Sequence, residues 1–160
     1  MPNKIHPTAI IHDNVILGDN NDIGAYCVIG GNGDIRDCQD FKGVVKIGNS
    51  NRISEGTIIH RGRDGETLIG NNNFIMAHCY IAHNVEIGNR VEICAGSVIG
   101  GYAKLSDGSI LKLRSVIRNR VNIGSQSLIG MGAVVTKDVP NNETWVGVPA
   151  KKYGKTNKMG

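Results

Sequence analysis

Of 160 residues, 22 are glycine and only seven carry aromatic rings (four Tyr, two Phe, one Trp), which excludes a core built on large rings. An apolar fraction of 40% and a net charge of +4 fit a folded chain of one domain, and neither disorder nor a collagen-like rod. No apolar run approaches the ~20 residues needed to cross a bilayer, and none of signal-peptide length follows Met1, so a cytoplasmic protein without membrane contact is expected.

Internal repetition sets the fold. Every sixth residue from Ile5 through Ile11, Leu17, Ile23, Ile29, Ile35, Phe41, Ile47 and Ile53 to Ile59 is large and apolar. After a ten-residue step the count resumes at Ile69 and runs unbroken to Val135. Two residues before these positions stand mostly small side chains, such as Ala9, Cys27, Thr57, Cys79, Ser97 and Ala133, and glycine often follows. A period of six matches neither 3.6 nor 2. In a short strand, residues two apart share a side, so the small and the large residue point inward while the rest turn a corner. Three such walls close a triangular coil of 18 residues, and 22 hexads give about seven coils stacked roughly 4.8 Å apart. The expected fold is all-β, a parallel β-helix over residues 1–139 with a capping segment and basic tail at 140–160. All four prolines, at 2, 7, 140 and 149, lie near the ends, which leaves the ladder of the middle intact.

The ten-residue step throws out a corner loop at residues 61–66, and loops on a rigid scaffold carry function. His60, His78 and His83 cluster around it. With the insertion counted inside its hexad, the hexad of Ile81 stacks on that of Ile59, and that of Ile99 on both. His60 and His83 become vertical neighbours, with Lys42 below and Gly101 and Asn119 above. A base, a bare backbone N–H and a cation on one edge suit acyl transfer from a thioester: a histidine deprotonates the incoming hydroxyl or amine while a glycine amide holds the oxyanion. His83 and Gly101 are the candidate catalytic pair.

Charge is uneven. Residues 104–120 carry a net +4 and residues 137–160 a net +3, against −3 elsewhere. Without interleaved aromatics this suits a phosphate-bearing small ligand or an acidic carrier better than nucleic acid, and it makes Arg118, Asn119, Lys151 and Lys152 candidate cofactor-binding residues. Cys27, Cys38, Cys79 and Cys94 form no CxxC pair and read as reduced core or corner residues.

The hexad pattern resembles the hexapeptide-repeat, left-handed parallel β-helix superfamily over nearly the whole chain. The resemblance implies the left hand, a homotrimer and sites in the clefts between subunits. Within it, Gln39-Asp40-Phe41-Lys42, Asn51-Arg52-Ile53, Ile59-His60-Arg61-Gly62 and Ile81-Ala82-His83 are similar to the UDP-N-acetylglucosamine acyltransferases of lipid A synthesis. That similarity implies His83 as general base, Gly101 as oxyanion donor, and Gln39, Asp40, Lys42 and His60 as cleft lining. Arg61, His78 and Tyr102 join them as expected substrate-binding residues. Residues 130–140 and 146–151 instead resemble hexapeptide acetyltransferases that use acetyl-CoA on nucleotide-linked amino sugars.

The chain departs from both groups at Asn84, where they place an acidic residue, and from the lipid A enzymes at Tyr102, where they place a second histidine. It also ends at Gly160 without their helical C-terminal domain, which turns the expectation from a carrier-protein donor toward acetyl-CoA or another acyl-CoA. The reading is an acyltransferase without a metal, acting on an amine or hydroxyl of a sugar nucleotide. Two alternatives stand beside it. His60, His78 and His83 also resemble the zinc ligands of γ-class carbonic anhydrases, although Ser54-Glu55 replaces the Gln-Asp of that family and the register of His78 and His83 is displaced by one residue. The other alternative is a scaffold without catalysis.

Overall fold

The computed structural model describes residues 1–38 and 40–156. Gln39, expected in the substrate cleft, lies outside the described residues. Short strands, most of them two residues long, wind into a parallel β-helix with three faces of nine, seven and six strands. Register follows the hexads: Ile5 pairs with Ile23, Ile23 with Ile53, Ile53 with Ile75 and Ile75 with Ile93 on the nine-stranded face. The inward column is buried from Ile23 onward, with Ile29, Ile53, Ile59, Ile75, Ile81, Ile93 and Ile99 at 0% exposure, while Ile5 in the end coil is 45% exposed. One residue per corner, about every sixth along the chain, enters the left-handed region, and Asn20, Asn72 and Asn84 occupy it with φ of 57–58°. Asparagine adopts that conformation more readily than most residues with a Cβ.

Two features differ from the hexad count. The nine-stranded face has eight parallel rungs plus an antiparallel strand, Lys151–Lys155, so the helix has about eight turns rather than seven. The added rung is Glu143–Val146, whose Trp145 stands opposite Ile129. It escapes the count because Val135 is followed after only four residues by Val139, which bridges to Ile123.

The second difference lies near the candidate site. Leu17 pairs with Ile47, thirty residues on, so one coil of 18 has gained twelve. The hexads of Ile35 and Phe41 do not stack; residues 32–38 and 40–43 leave the prism as a loop in which Ile35 and Cys38 form an antiparallel bridge. Because twelve is two hexads, the apolar count passes through the loop undisturbed. Phe41 is fully buried, but its ring packs edge-on to His83, with centroids 5.4 Å apart. The loop at 61–66 leaves the same corner one coil higher. The two loops are tied by the amides of Lys42, Gly43 and Val44, which donate to the carbonyls of Arg63, Gly62 and Gly65 at 3.0, 3.0 and 2.9 Å.

A buried asparagine ladder binds the coils at the next corner, between the six- and nine-stranded faces. The Asn51 backbone N–H donates to Asn21 Oδ1 at 2.9 Å, its Nδ2 donates to Asn21 Oδ1 and Gly70 O at 3.0 and 2.9 Å, and its Oδ1 accepts from the Asn73 amide at 2.9 Å. Asn51→Ala strands the Asn73 amide and the Gly70 carbonyl in a site where Asn51 is 1% exposed. At about 1–3 kcal/mol for each unsatisfied buried group, urea unfolding of this variant should show a loss of about 3 kcal/mol. A loss below about 1 kcal/mol would show that the ladder is not a stabilising element.

Candidate active site

The corner between the seven- and six-stranded faces carries one residue per coil at the second place after the inward aliphatic. The register pairs Ile59 with Ile81, Ile81 with Ile99 and Ile99 with Ile117. Arg61, His83, Gly101 and Asn119 therefore form a column, and Ala82, not His83, stands over His60. The expected stacking of His60 under His83 is thus off by one residue. Lys42 is likewise not beneath His60; it lies at the end of the excursion loop, paired with Arg63 and exposed. Asp40 is exposed on the same loop.

His83 is half-buried in a ring of defined neighbours. Phe41 meets its ring on one side and Tyr102 on another, edge-on at 5.2 Å, while Arg120 covers the Tyr102 face at 4.2 Å. Its Nδ1 lies 3.0 Å from Asn84 Oδ1. Gly101 lies against the other end of the ring: a Cβ at that position would stand 3.0 Å from both Cε1 and Nε2. Glycine is required here for close approach, since its backbone is not in the left-handed region.

The Gly101 amide stands out by comparison with the next corner. There the amides of Asp19, Asn49, Asn71 and Asn89, at the same offset, are each capped by an Asx side chain of the next coil at 2.7–2.8 Å. The Gly101 N–H has no acceptor among the described residues, though Gly101 is buried. A buried donor without a partner beside an imidazole is a prepared place for a developing negative charge.

His60 is 7% exposed. Its Nδ1 lies 3.3 Å from the Tyr80 hydroxyl, which donates to Asp34 Oδ2 at 3.5 Å. Burial pushes His60 below its ordinary value; Asp34 opposes this, and the neighbouring His83 adds to it. Burial, and then Asp34, raise the Tyr80 phenol. Asp34 and Tyr80 escape a reading of the sequence because they meet across 46 residues through the excursion loop. Arg61 donates from Nε to Asn32 Oδ1 at 2.9 Å, joining the two loops.

Other expected site residues lie elsewhere. His78 is exposed at a different corner, over Gly56, beside an apolar cavity of about 490 Å³ lined by Ala77, Ala95, Leu113 and Met131. Among the described residues no group of three His, Cys, Asp or Glu side chains is placed to hold a metal ion. Arg118 and Asn119 are exposed one coil above Gly101. Lys151 and Lys152 lie at the end of the prism, where they, Lys137, Trp145 and Pro149 line a cavity of about 320 Å³. Lys137 is the next member of the His83 column, two coils or roughly 10 Å above Gly101. Lys152 is held by Glu143 at 2.7 Å. No helix among the described residues is long and apolar enough to cross a membrane.

Comparison with known proteins adds three findings. The family model described as bacterial transferase hexapeptide (six repeats) matches residues 66–101. The chain is 33% identical over 141 residues to an acyl-[acyl-carrier-protein]--UDP-N-acetylglucosamine O-acyltransferase of Burkholderia orbicola, covering 86% of this chain and 54% of that protein. A Pseudomonas aeruginosa protein of the same name is 38% identical over 108 residues, covering 66% and 42%. The chain thus spans about half the length of the curated relatives it matches. Among solved structures, a UDP-N-acetylglucosamine acyltransferase from Bacteroides fragilis superposes with a TM-score of 0.93 at 27% identity, over 96% of this chain and 61% of that one. The β-helix is left-handed, as in those structures.

Proposed function

We propose, for a chain that belongs to the hexapeptide-repeat superfamily of left-handed β-helices, that it transfers an acyl group from a thioester to a hydroxyl or amine of a sugar nucleotide. The observation that carries this reading is the pairing of His83 Nε2 with the unpartnered Gly101 amide on one corner. His83 takes the proton from the acceptor as its oxygen or nitrogen attacks the thioester carbonyl. The Gly101 N–H receives the oxyanion of the tetrahedral intermediate, and collapse expels the thiolate, which is protonated by the imidazolium. His60, Tyr102, Arg61, Asp40 and Lys42 surround the acceptor, and cytoplasmic sugar nucleotides are its natural class. The names of the curated relatives support an acyl acceptor of this kind.

Acetyl-CoA is the proposed donor, with an acyl-carrier-protein thioester, the donor named for the relatives, as the competing one. Arg118, Lys137 and Lys151 would face the CoA phosphates along the corner above Gly101, with Asn119 between them; Lys152 is already engaged by Glu143. Charge-assisted contacts to phosphate are the strong ones. Arg118→Glu combined with Lys151→Glu should raise KM for acetyl-CoA at least about tenfold at low salt; an unchanged KM would remove these residues from the donor site.

The outward row of the seven-stranded face is apolar from Ile10 through Val28, Ile58, Val98 and Val116 to Val134, with Tyr80 the one hydroxyl. The corresponding row of the six-stranded face is mixed, running Ile16, Lys46, Leu68, Glu86, Lys104 and Asn122. Such a face supports a homotrimer, and sedimentation equilibrium should give three times the chain mass; a monomer at micromolar concentration would contradict it. Thermal unfolding tests the reaction class: acetyl-CoA at 100 Kd should stabilise by about 2.7 kcal/mol. Stabilisation by Zn²⁺ with none from any acyl thioester would favour the carbonic-anhydrase-like alternative.

A further inference from the structure

We propose that Asn84 and the corner loop at 61–66 form a clasp that holds neutral His83 in the Nδ1–H tautomer. This rests on the reading of His83 as a base, which needs a bare Nε2. The side-chain oxygen of Asn84 has two neighbours, the Arg63 backbone N–H at 2.9 Å and His83 Nδ1 at 3.0 Å. A backbone N–H only donates, so the atom it meets is the carbonyl oxygen of the amide and not its nitrogen. An oxygen only accepts, so the hydrogen of the second bond lies on Nδ1. The lone pair is thereby placed on Nε2, the ring atom that faces Gly101. A negative charge at residue 84 is not needed for this; an acceptor fixed in direction is enough.

Asn84 is itself anchored. Its own amide donates to Thr67 Oγ1 at 2.9 Å, and Thr67 is fully buried. Its φ of 58° puts it in the left-handed region, which asparagine tolerates and which aims its side chain at the loop. The loop amide that orients Asn84 is fixed from below. Arg63 O accepts from Lys42, Gly62 O from Gly43 and Gly65 O from Val44, while the Gly62 N–H donates to Val44 O at 3.2 Å. A Cβ at Gly43 would collide with the carbonyl oxygens of Gly65 and Gly62, so this junction of two loops closes only with glycine at 43. The order of dependence runs from the Lys42–Gly43–Val44 backbone to the loop, from the loop to Asn84, and from Asn84 to His83. Asn84 is thus a positioning residue, and the loop positions it without touching the reacting atoms.

The direct readout is the pair of imidazole ¹⁵N shifts of His83, followed in the full chain under alkaline conditions where the ring is neutral and assigned by comparison with His83→Ala. This reading does not depend on activity. In the wild type the Nδ1–H tautomer should dominate. Asn84→Gly keeps the left-handed backbone and deletes the amide; it should bring a mixture of both tautomers and lower kcat roughly 10- to 100-fold, the usual size for a partner that orients a functional histidine. Asn84→Asp keeps an acceptor for both bonds and should retain the Nδ1–H form. Gly43→Ala should move the population as Asn84→Gly does, while circular dichroism keeps the β-helix signature. A wild type dominated by Nε2–H, or an Asn84→Gly protein whose tautomer is unchanged, overturns the proposal. If the tautomers behave as expected and no acyl transfer is found, the clasp stands and the function of His83 as a base is what fails.

Discussion

His83→Ala should lower kcat for acyl transfer by roughly 10²- to 10⁴-fold, the size of a general-base contribution, while Kd for the donor stays within a few-fold. The ring is half-buried between Phe41 and Tyr102, so its loss leaves a gap at the corner but not in the continuous core, which does not include His83. Stability should change little compared with a core deletion. His78→Ala provides the contrast. That side chain is exposed at a different corner, and its removal should alter kcat by less than about threefold. Equal loss in both variants, with zinc bound stoichiometrically to the wild type and absent from each, would mean that the histidines are ligands and not base and bystander.

Gly101→Ala carries the second large effect. The added methyl would stand 3.0 Å from Nε2 and Cε1 of His83 and 3.3 Å from the His83 carbonyl oxygen. His83 has little room to retreat, because Asn84 holds Nδ1 and Phe41 stands against the ring. The methyl occupies the space in which the acceptor proton must reach Nε2, and it displaces the amide meant for the oxyanion. Losing one such donor is worth roughly 10²- to 10³-fold, so kcat/KM should fall about 10²-fold or more, alongside a loss of stability of about 1–3 kcal/mol from the overpacked corner. Full activity in Gly101→Ala would show that neither Nε2 nor this amide does the chemistry.

The β-helix was legible because a six-residue period leaves few ways to place a small and a large residue on one side of a wall. The same period concealed the excursion of residues 32–38 and 40–43. Twelve extra residues are two whole hexads, so Ile35 and Phe41 keep the count while leaving the stack. Phe41 is apolar for a local reason, its contact with His83, and the sequence pattern has no means of separating that from a core position. The His83 and Gly101 column followed from register alone. His60 is displaced from that column because it stands one place after Ile59 whereas His83 stands two places after Ile81, an offset that the correct pairing of Ile59 with Ile81 leaves in place. Asn84 reads in sequence as a missing charge; in three dimensions the same residue is a doubly used acceptor. The Asp34–Tyr80–His60 contact joins three parts of the chain through a loop whose path no periodicity specifies.

The most direct measurement is the mass of the sugar nucleotide after incubation with the protein. UDP-N-acetylglucosamine and amino-sugar nucleotides would each be offered with acetyl-CoA and, separately, with an acyl-carrier-protein thioester, and wild type compared with His83→Ala. The account predicts an acceptor heavier by one acyl group, one equivalent of free thiol released, and at least about a 10²-fold slower yield in His83→Ala. Unmodified acceptors with every donor, from a protein that instead carries stoichiometric zinc and hydrates carbon dioxide, would contradict it.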